Sequence, residues 1–185
     1  PSQKISKASM SEDIDYIIVG QGLVGTWMSY YAQKAGKSFV ILNDPNTASA
    51  SSVASGVINP VTGRRIVRTW EIETLLPFAW EAYTQLGNDI NQNLIRQCNI
   101  LDFHPTPQME LAFRNRLPEE TEYLRVPENP DVWRTYFDFP FGIGEINPCL
   151  LIDLNAMLTG WRKKLEVEGS LLEDYFQIFH LKLFQ

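Results

Sequence analysis

Three glycines, in Gly20-x-Gly22-x-x-Gly25, have the spacing in this chain best suited to chemistry. A turn of this kind brings backbone N–H groups up to a diphosphate. The first glycine permits a tight bend, the second lets the main chain approach the phosphates, and the third lets a helix pack closely on a strand. The unpaired amides of the helix's first turn, and the positive end of its dipole, then face the anion. The candidate phosphate-binding residues are therefore Gly20, Gly22, Leu23, Val24 and Gly25. An acid on the ribose hydroxyls of a dinucleotide is expected about twenty residues further on; Asn43 stands there, followed by Asp44. Asn43 could accept through its amide oxygen, or Asp44 could serve after a one-residue shift. Equally, Asn43-Asp44-Pro45-Asn46 could be a plain turn.

The pattern has meaning only between a strand and a helix, and the flanking residues predict both. Asp15 to Gly20 is a short apolar, β-branched run that stops at glycine, as a buried parallel strand does. Larger apolar residues at 23, 24, 27, 28, 30 and 31 suit a helix to Ala35, with Gly36 as its stop. Ser38 to Leu42 reads as a second strand, completing a βαβ unit. Residues 43 to 64, rich in Ser, Ala, Asn and Gly, read as a long irregular loop of the kind that carries function. A helix is expected over Trp70 to Leu86, closed by Gly87-Asn88. Strands are expected over Leu94 to Phe103, Val132 to Phe137 and Gly142 to Asn147, with a helix at Gln108 to Arg116. Asp153 caps an amphipathic helix whose stripe is Leu154, Met157, Leu158, Trp161 and Leu165, and Gly169 ends it. A strand pair is expected from Leu171 to Phe184.

Bulk properties narrow the classes. The 185 residues carry a formal net charge of −6, which argues against a nucleic-acid-coating surface. No apolar run is long enough to span a bilayer, and the polar start lacks the apolar middle of a secretory signal; the expectation is a cytoplasmic protein. Cys98 and Cys149 have no metal-ligand spacing and read as two reduced thiols, and the only histidines, His104 and His180, leave no material for a metal site. His104 reads as structural. Trp133, Tyr136, Phe137, Phe139 and Phe141 read as core rather than as the wall of a substrate pocket. Glu119-Glu120-Thr121-Glu122 reads as a solvated acidic surface.

Ala50-Ser51-Ser52-Val53-Ala54-Ser55-Gly56-Val57-Ile58-Asn59-Pro60 resembles the Ser/Ala/Gly segment of the D-amino-acid oxidase-like family of FAD-dependent oxidoreductases, which includes glycine oxidase and sarcosine oxidase. Arg64-Arg65-Ile66-Val67-Arg68-Thr69-Trp70 resembles the R-x-x-R stretch of sarcosine oxidase-type members, with Arg65 and Arg68 at the arginine positions. The resemblance is specific at the front, loose in the middle, and returns at Gly144 to Gly169. It implies FAD as cofactor, with Ser51, Ser52, Ala54, Ser55, Gly56 and Val57 along it. It also implies oxidation of a C–N bond of an amino acid or other amine, by hydride transfer to the flavin followed by imine hydrolysis. Arg65 is then expected on the flavin side and Arg68 on substrate or flavin.

The implied fold class is α/β, a Rossmann-like FAD-binding βαβ domain with an inserted, mostly β, α+β substrate domain, the whole truncated. Its expected divisions are a disordered leader over 1–13, the FAD domain over 14–88, the substrate domain over 89–150, and an incomplete return over 151–185. Two alternatives stay open: a flavoenzyme that modifies the tRNA wobble uridine, and a fragment with nucleotide-binding ability only. The expected partner is a small-molecule amine or amino acid, with self-association over an apolar edge a further expectation.

Overall fold

A computed structural model describes residues 13–177 except Ala48. In chain order the elements are β1 (Tyr16–Val19), α1 (Leu23–Lys34), β2 (Phe39–Asn43), α2 (Ala50–Val53), β3 (Val57–Ile58), β4 (Val61–Thr62), β5 (Val67–Arg68), α3 (Ile72–Asp89), β6 (Ile95–His104), α4 (Pro107–Arg116), β7 (Leu124–Arg125), β8 (Gly142–Ile152), α5 (Leu154–Glu168) and β9 (Leu171–Glu173). They form two compact units. One takes the chain up to Ser52 and again from Leu158; the other runs from Val53 to Met157.

The first unit follows from the apolar runs on either side of the glycine turn. β1 pairs parallel with β2, Tyr16 opposite Phe39 and Val19 opposite Leu42, and β2 pairs parallel with β9, Ile41 opposite Leu171. Two parallel neighbours need a crossover connection, and α1 provides it. Ile18 and Ile41 are buried between sheet and helix, and α1 turns Thr26, Ser29 and Tyr30 inward. Two of these residues are polar, and their partners explain them. The Ser29 hydroxyl lies 2.8 Å from the Gly25 carbonyl and accepts from the Trp161 indole N–H at 2.9 Å, so the α5 stripe locks onto α1 through a buried hydrogen bond. The Tyr30 and Trp161 rings meet edge-on at 5.4 Å. The unit is a Rossmann-like parallel βαβ arrangement.

The second unit is built on β8, the longest strand. β6 runs antiparallel along one edge of it, from Ile95 opposite Ile152 to His104 opposite Gly142, with a register shift between Cys98 and Ile100. β3 and β7 pair antiparallel with β8 along its other edge, and β4 and β5 form a separate hairpin. α4 lies so close to β8 that a side chain at Gly144 would sit 2.2 Å from the Phe113 ring. Val61, Ile66, Ile72, Phe113, Tyr123, Leu124, Ile146 and Cys149 make one core cluster. At the start of α5 the Asp153 carboxylate accepts from the Ala156 N–H at 2.8 Å, as an N-cap does.

Several expectations change. The loop expected over 43–64 holds α2, β3 and β4, elements too short for periodicity to reveal. The strand expected over Val132 to Phe137 is a 3₁₀ turn, Pro130–Thr135, because Pro130 presets a helical φ at its first position. Of the five aromatic residues there only Phe139 is buried; Tyr136, Phe137 and Phe141 are exposed. α3 runs through Gly87 rather than stopping at it, and the glycine is needed for contact: a side chain there would fall 2.5 Å from the Gln92 carbonyl. Glu120, read as solvated, is buried. The strand after α5 is β9 alone up to Gln177; the rest of the expected pair, and the leader apart from Asp13, lie outside the described residues.

Candidate cofactor-binding site

The turn between β1 and α1 is held open by its neighbours. Gly20 has φ +88, a conformation that favours glycine, and its N–H donates to the Leu42 carbonyl at 2.8 Å. The Gln21 N–H donates to Asn43 Oδ1 at 3.0 Å and the Leu23 N–H to Ser51 Oγ at 2.9 Å. The N–H groups of Gly22 and Val24 donate to no acceptor among the described residues. A side chain at Gly25 would stand 1.9 Å from the Gly20 carbonyl oxygen, so only glycine lets the helix approach the strand end this closely. Gly22 caps α1 with no side-chain bond, and no acid sits in the helix's first turn. The positive end of the helix and free amides are therefore presented without a competing anion, as a diphosphate requires.

The choice left open between Asn43 and Asp44 acquires a geometry. Asn43 at the end of β2 uses its amide oxygen to hold the turn, through Gln21. Asp44 caps a local turn: its carboxylate accepts from the Thr47 hydroxyl at 2.7 Å and from the Asn46 N–H at 2.9 Å. Those two bonds, Thr47's the larger influence, keep its acidity stronger than that of an ordinary aspartate. Both residues line a pocket of about 300 Å³ with Gly20, Gln21, Gly22, Thr47, Ser49, Asp174, Tyr175 and Phe176. The last three follow β9 and escaped the sequence reading. Their signal was available: the strand after a βαβ unit delivers its carboxyl end to the same crevice.

The Ser/Ala/Gly segment divides between the two units. Ser51 and Ser52 shape the first: besides Ser51's bond to Leu23, the Ser52 hydroxyl donates to the Ser49 carbonyl at 2.6 Å. Ala54, Ser55, Gly56 and Val57 lie in the second, where Gly56 at φ +74 passes so near β8 that a side chain would meet the Ile152 carbonyl at 2.2 Å. The arginines sit on the β4–β5 hairpin of that unit. Arg65 is exposed in the turn, with no ion pair among the described residues, whereas Arg68 is surrounded by Glu73, Glu120 and Glu122.

A glycine-rich β–α turn with free amides, opening on a crevice at the carboxyl ends of parallel strands, defines a dinucleotide-binding protein of the Rossmann type. The particular family follows from the family model for FAD dependent oxidoreductases, which matches residues 15–136: the chain belongs to that family, and FAD is its cofactor. No curated protein matches the sequence. Among solved structures, L-amino acid deaminase from Proteus vulgaris superposes with a TM-score of 0.63 at 14% identity, over 90% of this chain and 41% of that one. L-proline dehydrogenase from P. horikoshii gives 0.62 at 16%, over 89% and 45%. L-alpha-glycerophosphate oxidase from Mycoplasma pneumoniae, solved with FAD bound, gives 0.53 at 15%, over 84% and 42%. The chain thus spans less than half the length of each of these structures.

The residues present fit the cofactor. The Gly20–Gly25 turn leaves no space for a β-carbon at Gly25 and leaves amides free at Gly22 and Val24. Among the described residues no helix is long and apolar enough to cross a membrane.

Proposed function

We propose that the chain is the cofactor-binding front portion of an enzyme that oxidises a C–N bond of an amino acid or other amine. FAD, when bound, supplies the hydride acceptor; the protein contributes binding, orientation and electrostatics. In this reading the free amides of Gly22 and Val24 and the α1 dipole hold the diphosphate, the Leu23 amide being taken by Ser51, and Gly20 and Gly25 let the strand and helix meet beneath it. Asn43 keeps the Gln21 amide in place, and Asp44, Asp174, Tyr175 and Phe176 border the nucleoside side of the crevice. Ser51 and Ser52 fix the loop that follows, and Ala54, Ser55, Gly56 and Val57 continue along the cofactor. Arg65 supplies a fixed positive charge for an anionic partner, the reduced flavin or a substrate carboxylate. The strand-rich stretch over 89–150 serves as the substrate-facing domain.

The observation that carries this reading is the glycine turn, with its free amides at Gly22 and Val24, inside a chain of the FAD-dependent family. Support for the substrate class comes from the folds it resembles, an L-amino acid deaminase and an L-proline dehydrogenase. The test is the visible absorbance spectrum of the purified protein, followed by turnover on a panel of amino acids and simple amines with oxygen or a dye as acceptor. A colourless protein that binds NAD tightly instead would overturn it.

A further inference from the structure

Arg68 occupies the last position of the β4–β5 hairpin, opposite Val61, and its guanidinium is fully engaged. Glu120 Oε2 accepts from Nε at 2.7 Å and lies 2.7 Å from Nη2, Glu73 Oε1 accepts from Nη1 at 2.5 Å, and Glu122 Oε2 accepts from Nη2 at 3.4 Å. One face of the group covers the Tyr123 ring, with its carbon 5.1 Å from the ring centroid. These partners come from the start of α3 and from the segment between α4 and β7, so one side chain ties three pieces of chain together. Glu120 is buried, and a buried carboxylate needs its partner; its removal leaves an uncompensated charge in the protein. A substrate carboxylate arriving at Arg68 would have to displace one of three carboxylates already in place and would be repelled by the others.

The hairpin needs such a fastening. Ile66, in its turn, is buried at φ +50, a left-handed conformation that a β-branched residue adopts only where its surroundings hold it. The Ile66 N–H donates to the Gly63 carbonyl at 3.0 Å, and at the base the Thr69 N–H donates to the Pro60 carbonyl at 2.8 Å. Arg65 precedes Ile66, so the backbone that presents it is set by whatever holds Ile66 in place.

We propose that Arg68 is a positioning residue, a latch that fixes the β4–β5 hairpin through Glu120 and Glu73, and that it holds no substrate carboxylate, leaving Arg65 as a hairpin cation with no ion pair among the described residues. The link to catalysis rests on the proposed function; the latch itself does not.

The test compares Arg68→Met, Arg68→Lys and Glu120→Gln with the parent full chain by hydrogen exchange at the Ile66 and Thr69 amides. The latch predicts that Arg68→Met and Glu120→Gln each speed exchange at both amides by about tenfold or more, with Arg68→Lys recovering part of the protection. Unchanged protection in Glu120→Gln and Arg68→Lys overturns it, whether or not Arg68→Met folds. With FAD-loaded enzyme, KM for an amino acid is compared with KM for the corresponding amine lacking the carboxylate. The latch predicts that Arg68→Lys shifts the two alike. A selective rise of about tenfold for the amino acid, with the hairpin still protected, would show Arg68 holding the carboxylate and overturn the proposal. If the parent protein takes up no FAD the proposed function fails, and the exchange result still decides the latch.

Discussion

At the scale of single residues, the site depends on positions where a missing side chain is the functional feature. Gly25 is the clearest. A methyl group there would collide with the Gly20 carbonyl at 1.9 Å, and neither backbone segment can yield without parting α1 from β1. Gly25→Ala should therefore cost about 1–3 kcal/mol or more of stability, as overpacking does, and lose bound FAD. Thermal unfolding and the visible spectrum together check this; a variant that stays yellow with an unchanged Tm would refute the close-approach argument. Cys98 and Cys149 stand opposite each other across β6 and β8 yet differ in surroundings, because Cys149 is fully buried and burial pushes its thiol up to about 12. A thiol reagent at neutral pH should label Cys98 first and reach Cys149 only on unfolding, since the thiolate is the reactive form. Mass mapping of the labelled sites would show it, and equal labelling in the folded protein would contradict it.

At the scale of elements, α5 closes the first unit through Trp161, whose ring is fully buried and whose N–H is satisfied by Ser29. Trp161→Ala should cost roughly 3–5 kcal/mol, and Trp161→Phe less, losing one buried hydrogen bond but keeping most of the packing. Denaturant titrations of the two variants would rank them; equal costs would mean that the hydrogen bond, rather than the ring's bulk, carries the contact. The sequence made α5 and the βαβ unit legible because both rest on local rules: a capping Asp153, a 3.6-residue apolar stripe, glycines demanded by backbone geometry. What it concealed depends on partners remote in the chain. Glu119 to Glu122 looks solvated because four polar residues in a row carry no sign that Arg68, more than fifty positions earlier, draws Glu120 inside. For the same reason Asn43 could not be assigned, since its carboxamide serves the Gln21 amide across the turn rather than standing free. The two-residue strands β3, β4 and β5 exist only because β8 and the hairpin partner accept their hydrogen bonds.

For the molecule as a whole, carboxylates in both units are bound more tightly in their ionised form than in an unfolded chain. Asp15 is stabilised first by the Ser38 amide and then by Lys37, and Asp44 by Thr47. Glu73 is stabilised first by its own amide at the start of α3 and then by Arg68. At Glu110 burial is the largest influence and acts the other way, but Arg114 and His104 outweigh it. All four therefore have folded-state values below their ordinary 3.8 or 4.5. A depressed carboxylate contributes stability that is complete above its ordinary value and is lost as pH falls through the folded one, so the loss should begin near 4.5 and deepen below it. The net charge of −6 at pH 7 has already been titrated away near the pI of about 4.9, so further protonation adds a growing positive repulsion that acts in the same direction. That general repulsion is screened over about 8–10 Å at physiological salt, whereas the specific partners stand at hydrogen-bond distance, so loss of the specific bonds should make up most of the fall. The denaturant midpoint is then expected to fall between about pH 5 and pH 3, with a shallower fall in Glu110→Gln, which has one fewer titrating carboxylate. A midpoint that held steady or rose over that interval would mean that these carboxylates are held no more tightly in the folded protein than in the unfolded chain.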